Sequence, residues 1–264
     1  MIRVFVGCSA NGEDAEAQAM LEYTLRHYTS QPIDLQWMKL TRDLTSPWYS
    51  NPQKNEGWNS SGWATPFSAF RWSIPEVCNF EGKAIYMDVD MVARDDINKL
   101  WEQKHPEGKC ILSKNGRTHC VMLYDCERIK GRIPSLERLR KEVGLYRQVR
   151  GSIESLCAPF AGNWNCLDGE NYKNLYDPDI KVIHFTKVET QPHFKFALPR
   201  LNAMGQQHWN RQTKFFHHAR NDVEPLVDKI WRDAQEAGFT VKKYNNGLVP
   251  FGPYNAVRGG ARVA

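Results

Sequence analysis

The chain has 264 residues, 41% of them apolar and 25% charged, with a formal net charge of +5; this is an ordinary globular balance for one large α/β domain, or one domain with an appended piece. Basic and acidic residues interleave, so the mild positive charge suits an anionic substrate or a membrane surface and does not call for nucleic acid. Seven cysteines with no C-x-x-C pair argue against a zinc knuckle and fit free thiols in a reducing compartment.

Ile2–Val6 reads as a short buried strand, too short an apolar run for a signal peptide. Gly7-Cys8-Ser9-Ala10-Asn11-Gly12 has turn chemistry, and Glu13 to Tyr28 carries apolar residues at helical spacing behind acidic Glu13, Asp14 and Glu16. Ile33–Leu40 is a second strand, so the chain opens strand, loop, helix, strand. No Gly-x-Gly-x-x-Gly or Walker loop follows the first strand, which weakens dinucleotide and P-loop readings. Residues 41–62 form a long polar loop whose tryptophans, with Trp63, are expected mostly to pack it down. Phe67–Ser73 is expected as a helix carrying Arg71. Cys110–Leu112, Cys120–Tyr124 and Ile180–Phe185 read as strands, Ser135–Tyr146 as a charged helix, and Pro192–Pro199 as irregular. Asn221–Gly238 is an amphipathic helix; the acidic bias of its polar face favours docking on the core over an anionic membrane. The Gly- and Arg-rich end, residues 258–264, is expected to be mobile. The division drawn is a main domain over 1–200 and a C-terminal helical extension with a basic tail over 201–264. No stretch reaches transmembrane length, and the expectation is a cytoplasmic protein, at most attached to the inner surface of a membrane.

The most informative segment is Lys83-Ala84-Ile85-Tyr86-Met87-Asp88-Val89-Asp90. It is a buried strand ending in two carboxylates one residue apart. Alternate strand residues share a face, so Asp88 and Asp90, flanking Val89, can aim at one point past the strand's C-terminal end, where open α/β sheets place ligands. Two carboxylates at one point repel unless a cation lies between them, which makes a divalent metal the natural occupant. A strand-end Asp can also simply start a turn or cap a helix. His184, at the end of the Ile180–Phe185 strand, is a structural residue when considered alone and a candidate third ligand beside the acidic pair; imidazole suits manganese better than magnesium.

These residues, in order through most of 1–193, resemble glycosyltransferase family 8 and its bacterial relatives, which have the GT-A fold. The matching segments are Ile2–Gly7, Phe67–Arg71, Ala84–Asp90, Val121–Cys126, Asn163–Asp168 and Ile183–Thr186. The resemblance implies a mixed sheet flanked by helices and a UDP-linked sugar donor. It also implies Mn²⁺ (or Mg²⁺) held by Asp88, Asp90 and His184, with Gly7, Cys8, Ser9, Arg71, Val89 and Lys187 at the donor. Arg71 would pair with a phosphate or with the Asp88 region. The family transfers sugar with retention. A covalent intermediate would need a carboxylate, for which Asp168 comes first and Asp125 second; attack from the front face without an enzyme nucleophile is equally open. The acceptor could be a glycan, a lipid-linked sugar or a protein.

The sequence also departs from the family. Lys187 takes the place of a Gly, and Gln191-Pro192-His193 stands one residue off a Lys-Pro-Trp triplet. Thr118-His119-Cys120-Val121 replaces an Asn-Ser/Ala-Gly-Val stretch. In place of Asp-Gln-Asp, Asn165 and Asp168 are the nearest substitutes. The competing readings are a sugar-nucleotide hydrolase or nucleotidyltransferase on the same acidic pair, and a non-catalytic binding protein on this fold.

Overall fold

The structure, a computed structural model, describes residues 1–254; the Gly- and Arg-rich end expected to be mobile lies outside them. The chain runs through β1 (Ile2–Gly7), α1 (Ala15–Tyr28), β2 (Ile33–Met38), β3 (Ser50–Asn51), β4 (Glu56–Gly57), α2 (Ile74–Val77), β5 (Lys83–Asp88) and β6 (Met91–Ala93). It continues through α3 (Asn98–Trp101), β7 (Ile111–Lys114), β8 (Thr118–Asp125), α4 (Leu136–Lys141), α5 (Leu145–Ser152), β9 (Cys157–Pro159), β10 (Cys166–Leu167) and β11 (Val182–His184). Helices α6 (Phe194–Ala203), α7 (Val223–Glu236) and α8 (Val241–Asn245) follow.

Six strands form the main sheet in the order β2-β1-β5-β8-β7-β9. All run parallel except β8, which is antiparallel to both neighbours. Strands β1 and β5 at the centre of the parallel part are short apolar runs buried over most of their length, as a largely parallel sheet requires. From β1 the chain moves outward to β2 and then returns to place β5 on the other side of β1. That reversal falls at the C-terminal ends of β1 and β5, where Gly7 is paired with Asp88 and where open α/β sheets place ligands. A second sheet, β10-β11-β6, stands beyond this edge.

The tryptophans of the 41–63 region are packing residues. Trp48, Trp58 and Trp63 are buried with ring centres 4.9, 5.1 and 5.5 Å from that of Phe70. Helix α7 docks its apolar face, Val223, Leu226, Val227 and Ile230, against Met20 of α1 and Val92 and Ile183 of the second sheet. Burying four such side chains supplies roughly 6–12 kcal/mol before entropy is charged against it. All seven cysteines are free. Among the described residues, no helix is long and apolar enough to cross a membrane.

Three local expectations are corrected. The helix expected over Phe67–Ser73 is a single 3₁₀ turn, Phe70–Ser73, running straight into α2. The charged helix over Ser135–Tyr146 is broken in two because Gly144 adopts a left-handed conformation (φ 86°). The stretch expected to be irregular, Pro192–Pro199, becomes α6, with Pro199 inside it. Burial of Phe194, Ala197, Leu198 and Leu201 outweighs the hydrogen bond that Pro199 cannot donate.

Candidate active site

The two carboxylates and His184 meet because of one strand pairing. Strand β5 ends at Asp88, the chain bends through Val89-Asp90, and β6 begins at Met91. Strand β11 lies antiparallel to β6, so its last residue, His184, falls opposite Met91, the first residue of β6. The Phe185 N–H extends the ladder by donating to the Asp90 carbonyl at 3.0 Å. As a result His184 Nε2 lies 3.3 Å from Asp90 Oδ1 and 3.9 Å from Asp88 Oδ2.

Each group is held from behind. Asp88 Oδ1 accepts from Arg71 Nη2 at 3.0 Å and from the Tyr86 hydroxyl. Arg71 is in turn fixed by donating Nη1 to the His119 carbonyl at 2.7 Å and Nε to the Ser68 carbonyl at 3.1 Å, and its guanidinium sits over the Tyr86 ring. Burial works against the Arg71 charge, but Asp88 raises its pKa above the ordinary value and keeps it charged. Asp90 Oδ2 accepts from Gln191 Nε2, whose amide also donates to the Phe185 carbonyl at 2.9 Å. Behind His184, the buried Asn165 places Oδ1 3.0 Å from Nδ1. The carboxamide oxygen accepts, so Nδ1 carries the hydrogen and Nε2 turns its other valence to the carboxylates.

Burial opposes a charge on His184, but Asp90 outweighs it and raises the imidazole well above its ordinary pKa. The cluster therefore wants one positive charge at this point, either a proton on Nε2 or a metal ion. The donor set fits an ion. Adjacent oxygen and nitrogen ligands at about 2.1–2.2 Å from an octahedral centre stand about 3 Å apart; the 3.3 Å from His184 Nε2 to Asp90 Oδ1 is close to this, and the 3.9 Å to Asp88 Oδ2 is longer. Asp90 Oδ1 is buried and makes no hydrogen bond among the described residues, which leaves it free to ligate.

The remaining expected residues fall as follows. Gly7 lies beside Asp88, and a Cβ there would come within 2.9 Å of the Phe67 ring. The Cys8 N–H is used by the Met38 carbonyl (3.2 Å) and the Ser9 N–H by Asp14 Oδ2 (2.7 Å), so neither is free for a ligand. Lys187 is exposed, three residues past His184, and leads into a 3₁₀ turn over Val188–Thr190. Asp168 follows β10, its N–H bonded to the His184 carbonyl at 2.9 Å. Both its carboxylate oxygens accept from Thr186, one from the N–H and one from the hydroxyl.

Asp125 is a correction. It pairs with Lys83, the first residue of β5, at the opposite end of the sheet from Asp88. Five strand steps at about 3.3 Å put it roughly 16 Å away. There it accepts from the Arg128 N–H and pairs with its guanidinium, as a turn cap does. Gln191, Tyr86 and Cys120 were missed as site residues. Cys120 lies beside Asp88 because Met87 pairs with Val121. Ligand atoms of Asp88, Cys120 and His184 all lie within 4.8 Å of one another. Period-2 alternation on β8 was the available signal, but it needed the β5–β8 register to be read.

No protein-family model and no curated protein matches the sequence. Solved structures do match. The galactosyltransferase LgtC, solved with donor and acceptor sugar analogues, superposes with a TM-score of 0.54 at 12% identity, over 94% of this chain and 100% of that one. The glycosyltransferase GlyE of Streptococcus pneumoniae gives 0.53 at 11% identity, over 90% of this chain and 64% of that one. At these identities the likeness is one of fold, and the fold is the GT-A glycosyltransferase fold, a mixed sheet flanked by helices.

Proposed function

We propose that this chain is a metal-dependent glycosyltransferase. It would move a sugar from a UDP-linked donor to an acceptor hydroxyl, with Mn²⁺ or Mg²⁺ held by Asp88, Asp90 and His184. The observation that carries this reading is that His184 Nε2 lies 3.3 Å from Asp90 Oδ1 and 3.9 Å from Asp88 Oδ2 at the reversal point of the sheet. A bound divalent ion would supply charge neutralisation of the departing diphosphate.

The chain's own residues then have distinct tasks. Arg71 holds Asp88 in place, and Asn165 fixes the His184 tautomer. The edge of β1 at Gly7, Cys8 and Ser9 would meet the nucleoside, and the exposed Lys187 would be available to a phosphate. Reaction breaks the bond from the anomeric carbon to the diphosphate oxygen, which leaves with the electron pair. The acceptor oxygen forms its bond to the same carbon, and its proton passes to the departing phosphate. Asp168, with both oxygens already engaged by Thr186, is better placed to position the β10–β11 loops than to act as a nucleophile. This favours front-face attack over a covalent intermediate. The acceptor is a glycan, a lipid-linked sugar or a protein.

Calorimetric titration of UDP with and without Mn²⁺ tests the reading. Manganese-dependent binding that disappears in Asp90→Ala supports it, and a panel of UDP-sugars then identifies the donor. Binding that is indifferent to both the metal and the substitution would refute it.

A further inference from the structure

A second cluster of metal-ligating side chains lies outside the donor site. Asp14 comes from the start of α1, while His193 and His208 flank α6 at its start and in the segment after it. All three are buried, at 2%, 4% and 2% exposure. One ligand atom from each lies within 4.8 Å of the others.

The groups around the cluster aim these atoms at one another. Asp14 Oδ2 is held by the Ser9 N–H at 2.7 Å, and the Ser9 hydroxyl accepts from the Asp14 N–H at 3.0 Å. Asp14 Oδ1 faces His208 Nε2 at 2.9 Å, with Trp209 Nε1 donating to the same oxygen at 3.3 Å. His208 Nδ1 accepts from the Asn210 N–H at 3.3 Å, with Asn210 Oδ1 2.7 Å away. Nε2 then carries the hydrogen and donates it to Asp14 Oδ1, and an ion entering between the two would displace that proton. His193 is the unexplained member. Its Nε2 is buried and has no hydrogen-bond partner among the described residues. An unpaired imidazole nitrogen in a closed interior is destabilising, and here it stands beside an Asp–His pair.

We propose that Asp14, His193 and His208 form a structural site for a borderline-soft divalent transition ion of the zinc class. Two imidazoles and one carboxylate are a zinc donor set, and a water completes the tetrahedron. Near-complete burial of all three side chains argues for a structural role. The ion would tie the loop after β1 to α6 and to the segment behind it. The loop edge at Gly7 would thereby be fixed against Asp88. The site is separate from the donor cluster and does not depend on the proposed activity.

The test is zinc content after purification, together with melting temperature in excess Zn²⁺ and after chelation. It is run on the full chain, on His184→Gln, which removes the imidazole common to the Asp90 and the Asp88–Cys120 groupings of the donor cluster, and on His193→Gln, which keeps the Asp14–His208 pair. The expected result is about one zinc retained by the full chain and by His184→Gln, with a melting temperature that falls on chelation. In His193→Gln, zinc affinity should drop by more than the roughly 10–100-fold that loss of an outer-shell partner costs. Zinc bound equally by His193→Gln would overturn the proposal. So would a full chain that retains none and melts at the same temperature with and without zinc. Should His193→Gln fail to fold, anomalous diffraction at the zinc edge on the full chain decides. A peak between Asp14 and His208 supports the site, and its absence there rejects it.

Discussion

Replacing Asn165 with Ala is the sharpest probe of how the donor cluster is built. The carboxamide oxygen is 3.0 Å from His184 Nδ1, and the residue is fully buried. In Asn165→Ala the Nδ1–H loses its acceptor. Leaving it unpaired costs about 1–3 kcal/mol of stability. Alternatively, the ring takes the other tautomer, which puts a hydrogen on Nε2 against Asp88 and Asp90 and removes the lone pair a metal would use. Outer-shell partners of a ligating histidine are worth 10–100-fold in metal affinity, or about 1.4–2.7 kcal/mol. The Asn165 carbonyl, which accepts from Lys114 Nζ at 2.8 Å, is untouched by the substitution. Manganese affinity measured by electron paramagnetic resonance should fall by one to two decades in Asn165→Ala. It should fall beyond detection in His184→Ala and stay within a few-fold of the parent in Asn165→Asp, which keeps an acceptor. Urea unfolding of the same proteins separates the stability cost from the binding cost. If Asn165→Ala binds manganese within twofold of the parent while His184→Ala does not bind, the tautomer argument is wrong.

Asp168→Asn preserves an acceptor for the Thr186 N–H, so transfer should drop by less than about tenfold; a loss on the order of 10⁴ would instead mark a nucleophile. Asp125→Asn should leave UDP binding unchanged and cost under about 1 kcal/mol, because Arg128 is mostly exposed; altered UDP binding would contradict its placement at the far end of the sheet. His119 is held neutral first by burial and then by the nearby Arg71 and Arg150 charges, which lower it to about 4. The unfolded chain therefore takes up this proton first as pH falls below about 6.5, and stability is lost on acidification. From pH 7 to 5 this one group accounts for about 2 kcal/mol. Denaturant titrations of His119→Gln should show a pH dependence shallower by that amount, and identical slopes would refute the assignment. Leu226→Ala on α7 should cost about 2–5 kcal/mol in the same assay; a loss under 1 kcal/mol would mean that the helix is not docked on α1 and the second sheet.

Much of this protein is determined by short-range pattern. The apolar runs of β1 and β5, the helical spacing of α1 and the stripe of α7 each state a period within a dozen residues. Period and burial together force those elements. The Asp88-Val89-Asp90 strand end is local in the same sense: alternation alone aims both carboxylates one way. Elements that depend on distant partners were not legible. Helix α6 forms around Pro199 because its apolar face finds a core, and the break at Gly144 follows from a backbone angle that composition does not state. Cys120 and Asp125 are five residues apart on one strand, yet the β5–β8 register sends one to the donor cluster and the other to the far edge. Sequence likewise offers Asp14, His193 and His208 as three unrelated residues. Only the packing of α6 and the segment behind it against the loop after β1 brings their ligand atoms together. Local periodicity fixes which elements exist. Pairing between segments some ninety to two hundred residues apart fixes which side chains meet, and the chemistry is made there.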